Sequence, residues 1–125
     1  MSAAEVDENE ACAIGAGLRG KKCVPCEGGV PKLTHDEIGA LMGQVSSTWS
    51  VVDDHHLVRT LKFPDFARAL AFTNAVGAIA EAEWHHPDIH VGWGKVEITL
   101  FTHAIDGLAE NDFIVAAKID ALPVE

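Results

Sequence analysis

The sequence predicts a single α+β domain: a four-stranded antiparallel sheet with helices packed on one face. Three observations carry this. Residues 49–63 and 88–102 alternate apolar and polar side chains about a short turn, the pattern of a hairpin with one buried face. Residues 34–45, 65–84 and 110–122 carry apolar residues at helical spacing. The length of 125 residues is that of one ordinary domain, and an apolar share of 48% is enough for a real core.

Residues 1–33 read as an irregular N-terminal extension, because Gly15, Gly17, Gly20, Gly28 and Gly29, with Pro25 and Pro31, interrupt any regular element. The domain proper spans 34–125. Thr34-His35-Asp36-Glu37 is a capping box that opens a helix to about residue 45, with Ile38, Leu41, Met42 and Val45 on one stripe. Trp49 to Val52 reads as a strand, Asp53-Asp54 as a turn, and His56 to Phe63 as the returning strand. Pro64 is placed in the first turn of the next helix, where its missing N–H costs nothing. That helix is alanine-rich and apolar on almost every face, with Phe66, Leu70, Phe72, Val76 and Ile79, so it is expected in the core or in a subunit interface. It should end where His86 precedes Pro87, since proline drives its predecessor into an extended conformation. Ile89, Val91 and Trp93, then Val96, Ile98 and Leu100, form the second hairpin about Gly94. A last helix buries Phe113, Ala116, Ala117 and Ile119.

Nineteen acidic against nine basic residues give a net charge of −10, which argues against a nucleic-acid partner, because phosphate backbones require Lys and Arg. Nothing approaches the roughly 18 consecutive apolar residues of a membrane span. The first ten residues carry Glu5, Asp7, Glu8 and Glu10 and no basic residue, unlike a transit or signal peptide. A cytoplasmic location is expected, or an organellar one if a transit peptide has been removed. Cys12, Cys23 and Cys26 are odd in number and too few for a disulfide framework. Cys23-Val24-Pro25-Cys26 reads as a short Pro/Gly-rich loop with incidental thiols; the alternatives are half a zinc site, which Cys12 and His35 could complete, and a redox pair.

The candidate chemistry lies in Glu81-Ala82-Glu83-Trp84-His85-His86-Pro87-Asp88 and in Thr102-His103. Histidine can give and take protons near neutral pH. A His-His pair fixed by a proline, with His103 at the end of a strand that a hairpin can bring close, suggests a proton-transfer site. Glu81 stands four residues before His85, so the two can share a helical face if the last turn holds, and the carboxylate would orient that imidazole. His35, His55 and His56 read as surface or core histidines. The spacing of metal-binding histidines such as H-E-x-x-H is absent, so no metal is expected.

These residues resemble the pterin-4a-carbinolamine dehydratases, also called dimerization cofactor of a homeodomain transcription factor. The resemblance runs over about residues 34 to 122 and rests on Glu81, His85-His86-Pro87, Trp93, Lys95-Val96, Ile98-Thr99-Leu100, Thr102-His103, Gly107-Leu108, Asp112 and Ala116. The Cys-Val-Pro-Cys-Glu-Gly-Gly segment looks like an extension found in some bacterial and plant-type members. The chain departs from many members at Ile89, at Val91-Gly92-Trp93-Gly94 and at Ala104. The resemblance implies dehydration of 4a-hydroxytetrahydropterin to the quinonoid dihydropterin without metal or organic cofactor, in recycling tetrahydrobiopterin. It implies His85, His86 and His103 as active-site histidines with Glu81 as the acidic partner, and Trp84, Pro87, Thr102, Ala104 and Trp49 around the pterin. On the chemistry, His86 and His103 are the expected acid/base pair, and His85, tied to Glu81, the orienting group. A homodimer or homotetramer is expected. A non-enzymatic partner-binding scaffold, a role in other pterin or molybdopterin metabolism, and a metal-dependent hydrolase are the competing readings.

Overall fold

The structure, a computed structural model, describes residues 17–21, 23 and 31–123. Thr34 opens the first helix, α1 (His35–Met42), through the expected capping box: its hydroxyl accepts the Glu37 N–H at 3.2 Å, and its own N–H donates to Glu37 Oε1 at 2.8 Å. The helix stops at Met42, short of Val45, because Gly43 closes it with a tight bond from its N–H to Ala40 O. Strands β1 (Ser50–Val52) and β2 (His56–Lys62) follow as a hairpin. Asp53 and Asp54 are both left-handed, with φ of 54°, and the His55 N–H closes the turn on Val52 O. Aspartate tolerates that backbone better than most residues.

Pro64 lies two residues before the next helix, α2 (Phe66–Glu83), and not in its first turn. Asp65 takes the cap position, where its carboxylate accepts the Arg68 N–H at 2.8 Å. Strands β3 (Asp88–Gly92) and β4 (Lys95–Leu100) make the second hairpin. Its turn needs glycine at position 94, because a Cβ there would stand 2.7 Å from the carbonyl oxygen of Phe63. The last helix is α3 (Glu110–Asp120).

The four strands form one antiparallel sheet in the order β1-β2-β4-β3. Register pairs Leu57 with Leu100, Leu61 with Val96 and Ile89 with Ile98, which gathers the apolar side chains on one face. The other face carries Thr60, Glu97, His90 and Lys95. The helices cover the apolar face. Phe113, Leu57, Ile98, Leu100, Val76 and Val96 are wholly buried between the layers, each contributing about 1.5–3 kcal/mol on leaving water.

Helix α3 buries more than its expected stripe, since Ile114 and Val115 are enclosed as well. The reason lies in the N-terminal segment, expected to be irregular throughout. Gly17–Gly20 forms a short 3-10 turn packed on α3, with Leu18 in the core. Helix α2 buries Ala69, Phe72, Val76, Ala80 and Glu83 as one stripe and leaves Phe66 and Leu70 at 44% and 40% exposure.

Candidate active site

Register places several histidines at one end of the sheet. Val52 pairs with His56, Leu57 with Leu100 and Asp88 with Thr99. The start of β2, the end of β4 and the start of β3 therefore share an edge of the fold. His55 and His56, His85 and His86, and His103 all sit there.

Helix α2 ends at Glu83, one residue short of the expected 84. Trp84 caps it in the left-handed conformation, φ 55°, and the His85 N–H returns to Ala80 O at 3.1 Å. That reversal turns His85 inward. Its Nε2 lies 2.7 Å from Oδ1 of Asp112, a carboxylate with no solvent exposure in the first turn of α3. Oδ2 of Asp112 accepts the Thr102 hydroxyl at 2.8 Å and the Ala109 N–H at 2.9 Å. One buried carboxylate thus joins the His85 turn to the residue preceding His103. A carboxylate oxygen accepts, so His85 Nε2 donates the hydrogen of this bond.

Glu81 does not pair with His85 as the four-residue spacing predicts. Its Oε2 lies 2.7 Å from Nε2 of His86. The spacing argument required the helix to run through residue 85; the left-handed turn at Trp84 breaks that geometry and presents the following histidine to Glu81 instead. The Trp84 indole, 77% exposed, stands edge-on to the His86 ring at 5.1 Å. Pro87 is half-buried between this pair and β3.

His103 opens a short 3-10 turn, His103–Ile105, that also exposes Ala104. Its ring lies against Phe101 at 4.1 Å between centroids. Phe101 touches His55 in turn, at 4.7 Å. His55 and His56, read from sequence as unremarkable, are thereby neighbours of the expected histidines. The signal for this was the pairing of β2 with β4, which alternation alone does not specify.

Trp49 lies apart from these residues. It is 2% exposed, belongs to the core beside the opposite edge strand from His85 and His86, and donates its indole N–H to Asp120 Oδ1 at 2.8 Å. Asp120 also accepts from Arg59 Nη1 and from the Ser46 N–H, so this tryptophan anchors β1 to the end of α3. Cys23 is half-buried; its N–H donates to Glu83 Oε1 at 2.8 Å, and its thiol faces Asn111 O at 3.6 Å. Burial, and next Glu83, push the thiol up to about 12, so it stays protonated at neutral pH. Cys12 and Cys26 lie outside the described residues. Among the described residues no group of three or more His, Cys, Asp or Glu is placed to hold a metal ion. No helix among them is long and apolar enough to cross a membrane. A cleft of about 410 Å³ lies elsewhere, at the far end of the sheet, walled by Phe63, Phe72, Ala75 and Leu122. It lacks convergent acid/base groups.

Comparison with known proteins places the chain in a family. A family model described as pterin 4 alpha carbinolamine dehydratase matches residues 31–122. A pterin-4-alpha-carbinolamine dehydratase of Alkaliphilus metalliredigens is 54% identical over 103 residues, covering 82% of this chain and 93% of the relative. One of Rubrobacter xylanophilus is 55% identical over 105 residues, covering 84% and 97%. Among solved structures, a transcriptional coactivator/pterin dehydratase from Brucella melitensis superposes with a TM-score of 0.67 at 32% identity, over 72% of this chain and 96% of that one. A pterin dehydratase-like protein described as a RuBisCO assembly factor in the alpha-carboxysome reaches 0.51 at 30% identity, over 59% and 87%. The fold is that of the solved pterin dehydratase, and the relatives at about 50% identity carry the name of a hydro-lyase. The chain belongs to the pterin-4a-carbinolamine dehydratase family.

Proposed function

We propose that this protein dehydrates pterin-4a-carbinolamine to the quinonoid dihydropterin, with His86 and His103 as the acid/base pair. The observation that carries the reading is the gathering of His85, His86 and His103 at one sheet end, with Asp112 tying the His85 turn to Thr102. In the reaction one imidazole donates a proton to the 4a-hydroxyl as the C4a–O bond breaks and water leaves. The other removes the proton of N5, whose electron pair closes the new C=N bond. Each such positioned group is worth about 10²–10⁴-fold. Glu81 orients His86, and Asp112 holds His85 as an orienting group for the pterin. The exposed Trp84 offers a ring edge and face beside His86, and Pro87 and Ala104 border the same end. Thr102 acts through Asp112, since its hydroxyl is buried there. The chemistry needs no metal or organic cofactor.

The setting proposed is the recycling of tetrahydrobiopterin, by a homodimer or homotetramer. The test is the decay of the carbinolamine followed in the presence of purified protein. A rate that rises in proportion to protein concentration supports the reading; decay no faster than in buffer contradicts it.

A scaffold role is the second reading. The likeness to the 30% identical RuBisCO assembly factor suggests it, and the exposed Phe66 and Leu70 on α2 offer a contact surface. It predicts a folded protein that binds a macromolecule and leaves the carbinolamine untouched.

A further inference from the structure

The imidazole of His103 makes no hydrogen bond among the described residues; its one ring contact is Phe101. Its position therefore depends on two supports, the Phe101 ring and the turn that carries it. That turn is closed at its base, where Thr102 and Gly107 exchange N–H···O bonds of 2.8 and 3.4 Å, and it ends on Asp106, left-handed at φ 53°.

His55 reaches both supports. Its ring lies against Phe101 at 4.7 Å, and its Nε2 lies 2.8 Å from Oδ1 of Asp106. His55 is itself fixed, because its N–H closes the Asp53–Asp54 turn and its Nδ1 lies 3.0 Å from Nδ1 of His56. The hydrogen-bond direction follows from the partners. The carboxylate accepts, so Nε2 of His55 donates; in the neutral ring Nδ1 then accepts the Nδ1–H of His56. Asp106 is 83% exposed and His55 one third exposed, so this chain of bonds sits on the surface rather than in the core. Around it stand Lys32, which faces Asp106 and packs at Gly107, and Asp54, whose carboxylate is taken by His35.

We infer that His55 and Asp106 form a clasp that positions His103: the β1–β2 turn holds the turn carrying His103 through the Nε2–carboxylate bond, and holds Phe101 through ring contact. His55 is a positioning residue, with no role as proton donor or acceptor in the reaction. The inference rests on the reading of His103 as a reacting group, and its function is geometric. A displacement of about 1 Å at a reacting group can cost up to 10²-fold in rate, so a loosened His103 should show in turnover rather than in binding.

The experiment compares His55→Ala, Asp106→Asn and the double variant. His55→Ala removes both contacts. Asp106→Asn keeps an oxygen that accepts from Nε2 and a residue that tolerates the left-handed backbone. His55→Ala should lower kcat by about tenfold with KM changed less than twofold, and should move the NMR signals of the His103 ring. Asp106→Asn should stay within about twofold of the parent with the His103 signals in place, and the double variant should match His55→Ala. Wild-type kcat and unmoved His103 signals in His55→Ala would overturn the clasp. So would an Asp106→Asn variant as slow as His55→Ala, since charge rather than the bond would then be at work. If the parent protein does not dehydrate the carbinolamine, the proposed function fails by itself. The clasp is then decided by the His103 signals alone, which must move in His55→Ala and hold in Asp106→Asn.

Discussion

Asp112 was legible in the sequence only as part of a family pattern, since nothing in a linear reading connects it with His85, 27 residues away. A wholly buried carboxylate is costly unless its oxygens are filled, and here three donors fill them. Asp112→Ala leaves the Thr102 hydroxyl and the Ala109 N–H without partners, so a loss of about 3 kcal/mol is expected. Thermal unfolding checks this and should fall on the order of 10 °C. Trp84 makes the opposite prediction. A bulky side chain in the left-handed region costs about 1–2 kcal/mol, and this one is mostly in water. Trp84→Gly should raise stability by about 1 kcal/mol in a denaturant titration while weakening pterin binding, which separates a residue kept for function from one kept for packing.

At the scale of the elements, the helices were legible where end signals are local. The Thr34 box and the strand alternation settled the start of α1 and both hairpins. Thr34→Ala, which removes the cap, should cost about 1 kcal/mol in the same titration. The end of α2 was legible to within one residue, but the left-handed reversal at Trp84 that delivers His85 to Asp112 was not. The Glu81 partner was misassigned for that one reason. The turns at this end of the sheet also carry a pH dependence. The Asp54 carboxylate raises the pKa of His35. The contribution of that pair is complete below the ordinary histidine value, about pH 6.5, and is lost as pH rises through the raised value. His55 lowers the pKa of Asp106; that bond contributes fully above the ordinary aspartate value, about pH 4, and is lost as pH falls through the lowered one. NMR titration of His35 should give a midpoint above that of a free imidazole, returning to it in Asp54→Ala.

For the whole molecule, the antiparallel α+β layer follows from periodicity, but the strand order β1-β2-β4-β3 does not. The central pairing of β2 with β4 is a long-range contact. It brings His55 and His56 to Phe101 and His103, so these two histidines looked incidental in the sequence. Trp49 was named beside the pterin only through the family resemblance, and the residues alone did not show that it is buried against Asp120. Self-association belongs to this scale. Phe66 and Leu70 leave an apolar stripe on α2 in water. Light scattering should give more than one copy per particle at micromolar concentration, and Phe66→Glu with Leu70→Glu should reduce it. A monomeric parent protein would remove the homo-oligomer from the account.

The central claim, an acid/base pair of histidines at this sheet end, is tested most directly by single-turnover dehydration with His86→Ala and His103→Ala beside the parent protein. Both side chains are exposed, so neither substitution disturbs the core. The account predicts that each slows carbinolamine breakdown by about 10²-fold or more with the unfolding temperature unchanged. Wild-type turnover in either variant would contradict it.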